Sequence, residues 1–154
     1  GLQIRYNRNI IRYPTVRRHL TVSGSFETAV AVLQLFPGIR QETVHAILAT
    51  AGIKGLILET YGTGNAPTAV WFLDELKRFI NQGGVVLNVT QCQAGSVEMG
   101  LYETSAGLIS AGVISGRDIT TEAAVTKMMI LLGSGLSRDR VVSILSRPLC
   151  GEMS

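Results

Sequence analysis

Three short apolar runs and a brief fourth alternate with segments of helical period along this 154-residue chain. That alternation constrains the fold more than any other feature. The runs are Ala29–Phe36, Lys54–Leu58, Val85–Val89 and Val113-Ile114. Between the first two, Arg40–Ala51 places Val44, Ile47, Leu48 and Ala51 at helical spacing, with Gly52 as a left-handed stop. Ala69–Gln82 puts Phe72, Leu76, Phe79 and Ile80 on one face, and Asp74 stands one turn before Arg78 for a pair. Glu103–Ala111 reads as a short helix. Another runs from a Thr120 or Thr121 cap to about Leu132, with Glu122 favourable at its N-terminal dipole. A last helix starts at Ser137 and stops before Pro148. Pro37-Gly38 and Gly83-Gly84 break the chain between elements. Strands that are apolar throughout and alternate with helices imply a parallel sheet covered on both faces. The expected fold is α/β: a small doubly wound parallel sheet of about four strands, with helices on both faces.

Composition removes several other classes. With 46% hydrophobic and 16% charged residues, the chain is the opposite of a disordered one. No run approaches the roughly 18–20 uninterrupted apolar residues of a membrane span, so no membrane partner is expected. Two cysteines, Cys92 and Cys150, are too few for a disulfide framework and suit a reducing cytoplasm. The start at Gly1 shows no secretory pattern and reads as a processed terminus or a fragment. The net charge of +3 is uneven: residues 1–26 carry five arginines and no acid, and the remainder sums to −2. That arm reads either as a solvated linker or as a surface that meets an acidic neighbouring domain. A nucleic-acid role is not expected, because no basic run interleaved with stacking aromatics follows it.

In open α/β sheets, ligands bind at the carboxyl ends of the strands. Pro37-Gly38, Glu59–Pro67 and Thr90–Gly95 fall there. Gly62 and Gly64 allow close backbone approach to a ligand, although a tight turn that binds nothing has the same spacing. The segment is neither a phosphate loop nor a dinucleotide fingerprint. Thr90, Gln91 and Cys92 offer hydroxyl, amide and thiol groups for a small polar ligand. A nucleophilic Cys92 needs a base, and neither His19 nor His45 has a motif linking it to that thiol. His45 reads as a surface or half-buried position of the first helix. Glu98 and Glu103 read as solvated loop and cap positions rather than as a catalytic pair. The Gly-x-Ser-x-Gly motif is absent, and His and Cys lack metal-ligand spacing. A small-molecule-binding domain follows, with no catalytic set, metal or cofactor of its own.

Longer motifs narrow this reading. Tyr61-Gly62-Thr63-Gly64-Asn65-Ala66-Pro67 resembles the YGxGNAP segment of bacterial type I, cytoplasmic L-asparaginases. Asn88-Val89-Thr90-Gln91-Cys92, followed by Gly95, Val97, Met99, Gly100 and Tyr102, resembles a second stretch of that family. Ala111–Asp118, Thr121–Lys127, Leu35–Gly38 and the ending near Leu149–Glu152 continue it in register. The similarity runs from about Leu33 to the C-terminus and concerns the family's second half.

The resemblance implies that residues 27–154 are the C-terminal α/β domain and that residues 1–26 are a basic interdomain connector. It implies hydrolysis of L-asparagine to L-aspartate and ammonia by the whole protein, with the catalytic threonines in an N-terminal domain. This chain alone is expected to be inactive. Asn65, with Gly64, is implied to lie near a substrate site or subunit interface of a homo-oligomer. Thr90 and Cys92 map to an allosteric asparagine site of some members. Glu59 stands where that site has an arginine, and a carboxylate repels a ligand carboxylate that a guanidinium clamps. Two alternatives remain: a stand-alone amino-acid-sensing domain, and the matching domain of a related tRNA-dependent amidotransferase subunit.

Overall fold

The computed structural model describes Ile11, Tyr13, Val16, His19, Val22 and residues 24–92, 94–100 and 103–154. The arginines of the arm, Tyr102 and the Glu103 side chain lie outside the described residues. Nine elements follow one another among the described residues: β1 (Val30–Gln34), α1 (Gln41–Leu48), β2 (Gly55–Thr60), α2 (Val70–Asn81), β3 (Val85–Thr90), α3 (Glu103–Ala111), β4 (Ile114–Ser115), α4 (Thr121–Gly133) and α5 (Arg138–Leu145). All strand pairings are parallel, and the order is β1-β2-β3-β4. The expected parallel α/β sheet therefore forms.

Alternation along the strands separates two cores. Leu56 and Leu58 of β2 and Val86 of β3 pack with Val44 and Leu48 of α1, Phe72, Leu76 and Phe79 of α2 and Leu108 of α3. Ile57 of β2 and Val85, Leu87 and Val89 of β3 point the other way, onto Ala124, Met128 and Leu131 of α4 and Val141 and Leu145 of α5. Successive strand residues face opposite sides, so a sheet apolar throughout needs a cover on each. The three connecting helices make one cover. The second forms where the chain returns after β4. Each fully buried Leu, Ile or Phe contributes about 1.5–3 kcal/mol of transfer free energy.

Three local details differ from the sequence reading. The fourth strand is Ile114–Ser115, one residue later than the apolar dipeptide Val113-Ile114, because Leu87 pairs with Ile114 and Asn88 with Ser115. Strand β2 runs two residues past Leu58, to Thr60. Arg78 does not bond Asp74. Its guanidinium donates to Glu75 Oε2 from Nη2 at 2.6 Å and from Nε at 3.2 Å. Glu75 is the buried member of this helix turn, and it also faces His45 Nδ1 of α1 at 3.1 Å. Burial raises the Glu75 carboxyl, but Arg78, His45 and Gln41 outweigh it and hold the group below its ordinary value. The tie between α1 and α2 is thus polar at its rim and apolar beneath.

Thr120 is the N-cap of α4 and accepts from Ala123 N at 3.3 Å. Lys127, on the same helix, is buried, and its ammonium pairs with Glu152 at 2.7 Å. It also donates to Leu145 O at 3.2 Å and Arg147 O at 2.7 Å, so the end of α5 and the last residues share one cation. Burial pushes the Glu152 carboxyl up, but Lys127 and the backbone amides of Cys150 and Leu149 hold it far below the usual range. Upstream of β1, the Glu27 amide donates to Met129 O at 3.0 Å, and the backbone of Ser25–Glu27 lies against Gly133.

Candidate functional site

The carboxyl ends of β1, β2 and β3 meet the start of α4 around a cavity of about 370 Å3. Its walls follow from the register. Glu59 of β2 sits opposite Gln34 of β1 and Val89 of β3, and Thr60 sits opposite Thr90. Thr120, Thr121 and Glu122 come from the cap and first turn of α4. Glu59, Thr90 and Cys92 all line this one cavity. Strand ends are where side chains leave the sheet, so residues distant in sequence converge there.

Hydrogen bonds fix each wall. The Thr121 hydroxyl donates to Glu59 Oε1 at 2.5 Å across 62 residues of sequence. Gln91 Nε2 donates to Leu35 O at 2.7 Å and to Glu59 O at 3.0 Å, joining the ends of β1 and β2. The Thr90 hydroxyl donates to Gly62 O and accepts from the Cys92 amide, the latter at 3.0 Å. Asp118 accepts from the Ser154 amide at 2.7 Å, which holds its carboxyl below the ordinary value. Among the described residues, three carboxylates line the cavity, from Glu59, Asp118 and Glu122, and no lysine, arginine or histidine does. The sequence reading missed Gln34, Asp118 and Thr121 as wall residues. Their spacing carries no local signal, because only the parallel register and the α4 cap bring them to Glu59.

Gly64 and Asn65 belong to the adjoining turn, not to the cavity wall. Tyr61 and Asn65 close it as an antiparallel bridge, with Tyr61 N donating to Asn65 O at 2.9 Å and Asn65 N to Tyr61 O at 2.8 Å. Gly64 takes a φ of 107°, and a Cβ there would lie 2.8 Å from Val97 Cγ1. Both the backbone angle and the space demand glycine. Beneath the turn, the fully buried Thr60 hydroxyl donates to Asn88 Oδ1 at 2.7 Å, and Asn88 Nδ2 donates to Gly64 O at 3.5 Å. The Thr90–Gly62 bond ties the turn to the cavity.

The remaining candidates form no catalytic set. Cys92 is exposed on the turn after β3. His45 Nδ1 is engaged with Glu75 on another face of the molecule, and Glu98 is exposed. Among the described residues, no group of three or more His, Cys, Asp or Glu side chains could hold a metal ion. No helix among them is long and apolar enough to cross a membrane.

Comparison with known proteins agrees with this architecture. Residues 29–145 match the family model described as the glutaminase/asparaginase C-terminal domain. L-asparaginase 1 of Escherichia coli (strain K12) is 42% identical over 125 residues, which are 81% of this chain and 37% of the relative. The 60 kDa lysophospholipase of Mus musculus is 37% identical over 155 residues, covering all of this chain and 27% of the relative. A glutamyl-tRNA(Gln) amidotransferase subunit of Methanobrevibacter smithii is 33% identical over 88% of this chain and 30% of its own length. The crystal structure of L-asparaginase I from Vibrio cholerae superposes with a TM-score of 0.80 at 40% identity, covering 84% of this chain and 39% of that one. This chain therefore spans well under half the length of these relatives. The resemblance carried by the YGTGNAP and NVTQC motifs is borne out, and the chain belongs to the glutaminase/asparaginase C-terminal domain family.

Proposed function

We propose that this chain is the C-terminal domain of an amidohydrolase that converts L-asparagine to L-aspartate and ammonia. The carrying observation is the superposition on L-asparaginase I of Vibrio cholerae, in which the chain covers 39% of an asparaginase chain. A catalytic N-terminal domain supplies the attacking threonine, and the Gly64-Asn65 turn is presented to that domain or to a neighbouring copy in a homo-oligomer. The rigid closure of the turn over the buried Thr60–Asn88 pair supports such a role. Pre-aligned groups outperform mobile ones in acyl-transfer sites, because they need no reorganisation as charge develops. The cavity lined by Glu59, Thr90 and Cys92 is the effector-binding candidate. The basic arm over residues 1–26 serves as the connector between the domains. Two free, exposed thiols at Cys92 and Cys150 suit a cytoplasmic setting.

The test is ammonia release from L-asparagine by the full-length protein and by this chain alone, with L-glutamine and a lysophospholipid as parallel substrates. Activity on L-asparagine in the full-length protein and none in the chain supports the reading. Replacing Asn65→Ala in the full-length protein should then lower kcat/KM at least about tenfold. Fatty-acid release without amide hydrolysis overturns the assignment in favour of the activity named for the murine relative.

A second reading, the matching domain of a tRNA-dependent amidotransferase, draws on the 33% identity to the Methanobrevibacter smithii protein. The higher identity to the asparaginases favours the first. Glutamyl-tRNA-dependent amide turnover by the full-length protein, in place of free asparaginase activity, distinguishes the two.

A further inference from the structure

We propose that Glu59 sets the ligand specificity of the cavity: its carboxylate holds the anion's place beside α4, so the cavity takes a small primary amine that brings no carboxylate. The inference rests on reading the cavity as a ligand site.

Donor accounting carries it. A carboxylate ligand needs N–H or O–H donors, preferably cationic ones. The Thr121 hydroxyl proton is committed to Glu59 Oε1. Both protons of Gln91 Nε2 are committed to Leu35 O and Glu59 O. The Thr90 hydroxyl proton goes to Gly62 O, and the Cys92 amide proton goes to Thr90 Oγ1. A hydroxyl has one proton and an amide side chain two, so these four donors are fully used. Gln34 and Thr120 add side-chain donors to the wall that carry no charge. The acceptor side is the reverse. Glu59, Asp118 and Glu122 bring three carboxylates to the wall, and among the described residues no side-chain cation lines it, although Arg117 acts on Asp118 from outside. A second carboxylate entering beside Glu59 meets like charge on several sides, whereas an ammonium meets acceptors. The first turn of α4 favours an anion, and Glu59 already supplies one from within the chain.

Glu59 also joins β2 to α4 through Thr121, so a merely structural role has to be separated from a charge role. Two replacements do this. Glu59→Gln removes the charge and keeps the shape. Thr121→Val removes the bond and keeps the charge.

The experiment is calorimetric titration of the 154-residue chain at about pH 6.5, where an α-amine is protonated. The ligands are L-asparaginamide, L-asparagine and L-aspartate. The first two differ only in whether the α-carboxyl is an amide or a carboxylate. The expected result is L-asparaginamide binding at least about tenfold tighter than L-asparagine, with L-aspartate weakest. Glu59→Gln should abolish the preference and Thr121→Val should preserve it, each variant first checked for a native melting transition. L-asparagine binding the unmodified chain as tightly as L-asparaginamide overturns the specificity but leaves the cavity as an effector site. Loss of the preference in both variants overturns the charge argument. Binding of none of the three ligands overturns the site and this inference together.

Discussion

The hydroxyl of Thr60 donates to Oδ1 of Asn88 at 2.7 Å, and both residues are 0% exposed. This buried pair lies between adjacent strands, directly under the turn that carries Gly64 and Asn65. Asn88 uses its other end to reach Gly64 O, so the amide orientation is set from both sides. Thr60→Val keeps the volume and leaves Asn88 Oδ1 without its hydroxyl donor. A buried acceptor so abandoned costs about 1–3 kcal/mol. Urea unfolding should show a lower midpoint with an unchanged slope. An unchanged midpoint would show that the pair contributes nothing net.

Gly64→Ala tests the turn itself. The substituted Cβ would lie 2.8 Å from Val97 Cγ1, at a φ of 107° that L side chains avoid. Strain of this kind costs about 1–3 kcal/mol. The thermal midpoint should fall, and amide exchange at Tyr61 and Asn65 should quicken as their bridge loosens. Protection at those two amides equal to that of the unmodified chain would refute the close approach.

Lys127→Met should be the most damaging single change. It leaves the Glu152 carboxylate with backbone donors from Leu149 and Cys150 but without its cation. Breaking a buried pair from one side costs about 3–5 kcal/mol. The retained donors put this case at the lower end. The double replacement Lys127→Met with Glu152→Gln should recover part of the loss, since no buried charge then stands alone. Chemical denaturation of the four forms measures the coupling.

Acid should weaken the fold through the same group. Glu152 titrates far lower in the folded chain than in the unfolded one. Between those two values the unfolded chain binds the proton and the folded chain does not, so stability rises with pH. The contribution is complete above the unfolded value, about pH 4–5, and is lost as pH falls toward the folded value. Glu75 acts with the same sign. Thermal midpoints between about pH 7 and pH 3 should decline on the acid side, and Glu152→Gln should flatten that decline. A variant as acid-sensitive as the unmodified chain would falsify this assignment.

How much of this was legible in the sequence depended on distance along the chain. The β-branched runs at Val30–Gln34 and Val85–Thr90 and the amphipathic face of α2 are local patterns, and they placed the strands and helices to within a few residues. Ile114–Ser115 was shifted by one because a two-residue strand has no alternation to read, and only pairing with Leu87 and Asn88 positions it. Arg78 pairs with Glu75 and not with Asp74, the partner that helical spacing suggests. Burial of Glu75 against His45 decided between them, and that is tertiary information. The cavity was half visible. Glu59, Thr90 and Cys92 stand out as strand-end polar residues, whereas Thr121 and Asp118 join them only through folding. Nothing near Lys127 in sequence announces its burial or its partner at Glu152.

The sequential strand order has a consequence for the chain as it is made. Each of β1, β2 and β3 pairs with the strand that follows it, so the residues up to Ser115 contain the whole sheet and its first cover. The second cover emerges only afterwards. Ile57, Val85, Leu87 and Val89 present a bare apolar face until α4 and α5 follow. At about 5–20 residues per second, that exposure lasts for seconds. The pair of Lys127 with Glu152 ties the residues after α5 onto that second cover. A chain cut short before α4 would carry a finished sheet with one side open to any passing hydrophobic surface.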